Sequence, residues 1–164
     1  MNKRSLQLLS WKVTILKLMK KSSLSLLLLY LPIIIMAQSK SVNPDFLQSF
    51  ADAFNAHDLE AIMSHMTNDC VFEASAGPDI EGEKFSGKQE VKNAFQDVFA
   101  TFPDAKWNNP RHFISGDRGF TEWIFTGTRS DGTKVEVSGC DLFTFRDGKI
   151  AVKNSYRKNR QPVR

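Results

Sequence analysis

The longest regular alternation in the chain lies between Lys134 and Asp147, and it narrows the fold more than any other stretch. With the two-residue period of a strand, Val135, Val137, Gly139, Asp141, Phe143 and Phe145 share one side. Glu136, Ser138, Cys140, Leu142, Thr144 and Arg146 share the other. A bulge at Ser138 and Gly139 could flip the first half of this strand, but it would leave Asp141, Phe143 and Phe145 together. A carboxyl among phenylalanines must be neutral, hydrogen-bonded or paired, because desolvation penalises its charged form. Such a group serves either as a general acid/base or as a structural buried aspartate, and both readings stay open here.

Charge removes one class of partner. The chain carries a formal +4, but its first 37 residues hold six of the 22 basic residues and no acid. The remainder has 16 basic against 18 acidic residues, so a nucleic-acid partner loses its main support. Those first residues read as a targeting leader: Lys20 and Lys21, an apolar run from Leu24 to Met36, then a small-residue exit after Ala37. The run is short for a bilayer span, so a cleaved signal peptide over 1–37 is expected, with Met19 an alternative start. The product would be exported, free of the membrane once the leader is removed. Cys70 and Cys140 could then pair as a disulfide or serve as two small buried hydrophobes.

After a linker over 38–44, Asn43 and Pro44 read as an N-cap and first helical residue, with Phe46, Leu47, Phe50 and Phe54 as the apolar stripe. Asp58 caps a second helix carrying Leu59, Ile62, Met63 and Met66. A short strand over 69–74 and a loop over 76–82 follow. A third helix starts near Gly87 and presents Val91, Ala94, Phe95, Val98, Phe99 and Phe102 until Pro103 stops it. Strands over 107–115, 120–128 and 150–156 flank the opening one, separated by glycine-containing turns. Helices first and a meander after them predict an α+β domain over 45–157, its helices packed on one face of a curved antiparallel sheet. A basic tail over 158–164 reads as a solvated end.

Four segments, FADAFNAHDLEAIMSHMTNDCVFEA, FSGKQEVKNAFQDVFATFPD, WIFTGT and GCDLFTFRDGKI, together resemble the SnoaL-like branch of the nuclear transport factor 2-like superfamily. The resemblance implies a cone-shaped sheet wrapped around a long helix, an apolar cavity and often a homodimer. It places Asp141 where ketosteroid isomerases carry the acid that hydrogen-bonds the substrate oxyanion. The isomerase general base would fall near Ala74 and its oxyanion tyrosine near Phe50, so ketosteroid isomerisation itself is not expected.

The candidate catalytic residues are Asp141, Tyr156 and His112. Ile150, Val152, Asn154 and Tyr156 share parity; if the first two point inward, Asn154 and Tyr156 stand at the pocket wall. His112 could shuttle protons near neutral pH. The expected ligand pocket is formed by Trp123, Phe125, Phe143, Phe145, Asn154, Phe50, Phe54 and Phe72. Glu73 would join Asp141 as a dyad only if both faced the cavity. No His/Asp/Glu spacing makes a metal site, and no nucleophile elbow or phosphate loop is present in the sequence. The reading is a pocket for a small apolar molecule without a cofactor, working either as an acid/base enzyme of isomerase, cyclase or hydratase type or as a non-catalytic binding or dimerisation module. In the enzymatic reading, Asp141→Asn abolishes turnover and spares the fold.

Overall fold

The computed structural model describes residues 41–160. The leader over 1–37, the Met19 start, residues 38–40 of the linker and residues 161–164 of the tail lie outside the described residues. The described chain runs α1 (Pro44–Asn55), α2 (Leu59–Ser64), β1 (Met66–Glu73), β2 (Lys84–Ser86), α3 (Lys88–Thr101), β3 (Lys106–Ser115), β4 (Arg118–Thr128), β5 (Lys134–Arg146) and β6 (Lys149–Arg157).

The helix starts follow their caps. Asn43 accepts the Phe46 amide at 3.0 Å and Asp58 accepts the Ala61 amide at 2.9 Å, each satisfying a donor that the first turn leaves free. Met66 departs from its expected place in the second helix: that helix stops at Ser64, and Met66 opens β1 as a fully buried core residue. The short strand β2, inside the stretch after the expected loop, pairs with the end of β1 through Phe72 and Phe85.

The sheet has six strands in the order β2-β1-β6-β5-β4-β3 and is curved. It is mixed rather than wholly antiparallel, because β1 and β6 run parallel. After β1 the chain crosses through α3 to the opposite edge and then meanders back strand by strand, so β6 arrives beside β1 in the same direction. The β4–β5 ladder runs unbroken from Arg118↔Thr144 to Thr128↔Lys134, so Ser138 and Gly139 form no bulge. On the concave face Phe72, Phe143, Phe145 and Ile150 pack against Leu47, Phe50 and Phe54 of α1 and Val91 and Phe95 of α3. A second cluster of Phe102, Ala105, Trp123 and Phe125 sits toward one end of the sheet.

The β5–β6 hairpin sets up the interior. Its two-residue turn, Asp147 and Gly148, has φ of 54° and 71°, the twist that matches paired strands. One step later the register slips: Phe145 faces Ile150 but Thr144 faces Val152, so Ala151 is an extra residue. From there inward and outward positions on β6 are exchanged. Ala151, Lys153 and Ser155 are buried, and Tyr156 is exposed.

Candidate functional site

Ser155 lies directly opposite Asp141 in the β5–β6 ladder, and Thr121 opposite it in the β4–β5 ladder. Asp141 is buried and meets three donors. Its Oδ1 accepts the Lys153 ammonium at 2.7 Å and the Ser155 hydroxyl at 2.6 Å, and its Oδ2 accepts the Trp123 indole N–H at 3.0 Å. Lys153 also donates to Ser155 Oγ at 2.7 Å. The ammonium lies 4.9 Å from the Phe72 ring centroid and 5.6 Å from that of Phe54, within cation–π range. The acid on the apolar side of β5 is therefore paired with a buried lysine.

Trp123 reaches Asp141 because Gly139, its cross-strand neighbour, has no side chain. A Cβ there would stand 2.3 Å from the indole Cη2 and 2.3 Å from the Tyr156 carbonyl oxygen. The ring thus occupies the space a side chain on Gly139 would need.

A cavity of about 400 Å³ opens between the sheet and α3. Its walls include Phe54, Phe72, Phe95, Trp107, Trp123 and Phe125, and its interior polar groups are Lys153 and Ser155. Exposed Glu83, Asp97 and Arg157 also line it. Asp141 lines instead a separate hollow of about 20 Å³, with Thr121, Phe50, Phe143 and Lys153. Lys153 and Trp123 border both spaces, so the carboxylate sits behind the lysine as seen from the larger cavity.

The expected pocket residues divide accordingly. Phe54, Phe72, Trp123 and Phe125 line the cavity; Phe50 and Phe143 face the hollow; Phe145 is packed in the core. Asn154 and Tyr156 belong to the outer face, bonded to each other at 3.2 Å, because the β6 bulge reverses their parity. Tyr156 is 52% exposed and does not reach the interior. Glu73 points away from Asp141 and pairs with Lys84 at 3.3 Å, so no carboxyl dyad forms. Ala74, at the expected base position, does line the cavity. The sequence reading missed Lys153 and Ser155. The signal for them was the donor requirement of Asp141 itself, which two polar side chains two residues apart on the adjacent strand satisfy.

His112 lies outside the cavity lining. Its Nδ1 is 2.8 Å from the Thr121 hydroxyl and its Nε2 is 3.1 Å from Gln48 Oε1, while the Gln48 amide donates to Asp52 at 2.8 Å. This orientation of the Gln48 amide makes Nε2 the donor and leaves Nδ1 to accept from Thr121. Burial pushes the His112 imidazole below its ordinary value of 6.5, with Asp52 pulling the other way. His57 sits in the interhelical turn at φ 56°, stacks on Phe99 and contacts the Ala105 carbonyl. His65 caps α2 and is bonded to Ser49 at 2.8 Å, which ties it into the helix pair.

Both cysteines are free, Cys70 on the inner face and Cys140 on the outer, which rules out their pairing. Burial pushes both thiols up, away from thiolate chemistry. Among the described residues no group of three or more His, Cys, Asp or Glu is placed to hold a metal ion, and no helix is long and apolar enough to cross a membrane.

The sequence profile of the family described as SnoaL-like domain matches residues 47–153. No curated protein matches the chain. A proposed polyketide cyclase from Pseudomonas putida superposes with a TM-score of 0.64 at 18% identity, covering 73% of this chain and 92% of its own. A proposed isomerase from Bacillus subtilis does so at 0.60 and 19%, covering 70% and 84%. A protein with a ketosteroid isomerase-like fold from Catenulispora acidiphila, in complex with trimethylamine, scores 0.62 at 16%, covering 70% and 86%. Identities this low establish a shared fold.

Proposed function

Because the chain belongs to the SnoaL-like domain family, we propose that its cavity binds a small, largely apolar molecule, and that the domain acts as an exported binding module. The observation that carries this reading is an aromatic-walled cavity of about 400 Å³ whose interior polar groups are confined to Lys153 and Ser155. Binding is favoured over turnover by what the wall lacks. Ala74 stands where the resemblance implies a base, and Asp141 sits behind Lys153 with three donors already on it. The acid/base role proposed for Asp141 would therefore act on a ligand only through Lys153 or Ser155.

Native mass spectrometry of the protein purified from its own source tests the reading. The expected result is a mass increment from a retained organic molecule that is lost when a bulky residue fills the cavity, as in Ala94→Trp on the α3 side of its lining. A folded protein that retains no molecule, and whose unfolding temperature no apolar compound raises, overturns it. Export is checked separately, by sequencing the N-terminus of the mature protein; a start after Ala37 is expected, and a retained Met1 or Met19 excludes cleavage there.

A further inference from the structure

We infer that the ligand's polar contact in this cavity is the Lys153 ammonium, and that the ligand class is an apolar molecule bearing one neutral carbonyl oxygen, a ketone or an aldehyde. The inference rests on the pocket reading above and deepens it. An ammonium has three N–H donors. Asp141 Oδ1 and Ser155 Oγ take two at 2.7 Å each, and the third has no hydrogen-bond acceptor among the described residues. Lys153 is nearly fully buried, its ammonium between the rings of Phe54 and Phe72, and it lines the cavity, so the acceptor for its third donor has to come from what the cavity holds. A buried donor without an acceptor is costly, and an incoming oxygen that accepts from it removes that cost.

Charge selects the kind of oxygen. Lys153 and Asp141 cancel each other at contact distance, leaving no net positive charge to hold a carboxylate. At the rim, Glu83 and Asp97 outnumber Arg157, which further disfavours an anion. A cationic ligand would instead meet Lys153 directly. A neutral acceptor remains, and a carbonyl offers in-plane lone pairs to a fixed donor without bringing a proton that itself needs a partner. In this arrangement Lys153 is the ligand-binding residue. Asp141 and Ser155 are positioning residues that hold its ammonium in place.

Three matched probes test the assignment on the full chain: 2-acetylnaphthalene, 2-ethylnaphthalene and 2-naphthoate. The ketone is expected to bind about tenfold or more tightly than the hydrocarbon, the scale of a hydrogen bond to a charged donor, and the carboxylate more weakly than the ketone. The carbonyl stretch of the bound ketone, read by isotope-edited infrared difference spectroscopy, should move to lower frequency. The double variant K153M/D141N removes both charges together and so leaves neither buried alone; in it the two neutral probes should bind alike and the carbonyl stretch should return. Equal binding of ketone and hydrocarbon by the wild type, tightest binding of the naphthoate, or a preference that survives in the double variant each overturns the assignment while leaving the pocket reading intact. Failure of all three probes to bind overturns the pocket reading and this inference with it.

Discussion

The behaviour of Asp141 depends on Lys153. With both side chains almost inaccessible and 2.7 Å apart, removing one charge strands the other. Breaking a buried pair in this way costs about 3–5 kcal/mol, whereas replacing both members together is often close to neutral. Asp141→Asn is therefore expected to lower unfolding stability by about that amount, with the double variant D141N/K153M recovering most of it. Urea denaturation of the wild type and the two variants checks this. A single variant as stable as wild type would show that the pair contributes nothing. Read from the sequence alone, the same substitution should have spared the fold, because the partner that makes it costly was hidden by the β6 parity. The apolar face of β5 was legible, since alternation over the whole of that strand carries it. Whether Asp141 was paired was not, because its partner comes from the neighbouring strand and reaches it only through a one-residue slip at Ala151.

At the scale of elements, the readable signals were those with a local cause. Caps at Asn43 and Asp58, the stop before Pro103 and the turn at Asp147 and Gly148 follow from backbone chemistry, and the elements begin and end there. The parallel β1–β6 pairing was illegible because it joins strands far apart in sequence. The tie between α1 and the β3–β4 ladder is also non-local: Gln48 on α1 reaches His112 on β3, which reaches Thr121 on β4. This tie should be sensitive to pH. Burial holds the His112 imidazole below 6.5 in the fold, and Asp52 on α1 is the charged group acting against that. The unfolded chain therefore binds a proton that the folded chain resists, and stability rises with pH across the window between the two values. The contribution is complete above about pH 6.5 and is lost as pH falls through the folded value. Urea unfolding at pH 7.5 and at pH 5.5 should show a loss at the lower pH that His112→Gln reduces. An unchanged pH dependence in that variant would remove His112 as its source.

For the whole molecule, the two faces of the sheet need separate explanations. The concave face is filled by α1 and α3 except at the cavity. The outer face carries Phe113, Ile124, Leu142 and Tyr156, all exposed, with Phe113 stacked on Phe120 at 4.6 Å. An open trough of about 790 Å³ runs along it, bordered by Arg111, Glu122, Ile124, Cys140 and Tyr156. Large side chains gathered on one face are more than the scattered apolar exposure of an ordinary monomer. We propose that a second copy of the chain covers this face. A two-fold arrangement suits it, because Arg111 and Glu122, paired across β3 and β4, give each copy both signs of charge to offer the other. Sedimentation equilibrium at micromolar protein is expected to return twice the chain mass, and Leu142→Glu, which sets a charge in the middle of the apolar patch, is expected to return the single mass with the fold retained. Leu142 points away from the interior, so this substitution leaves the cavity and the Lys153–Asp141 pair untouched. A wild type that sediments as one chain, or a Leu142→Glu variant still at double mass, would show that the patch serves something other than self-association.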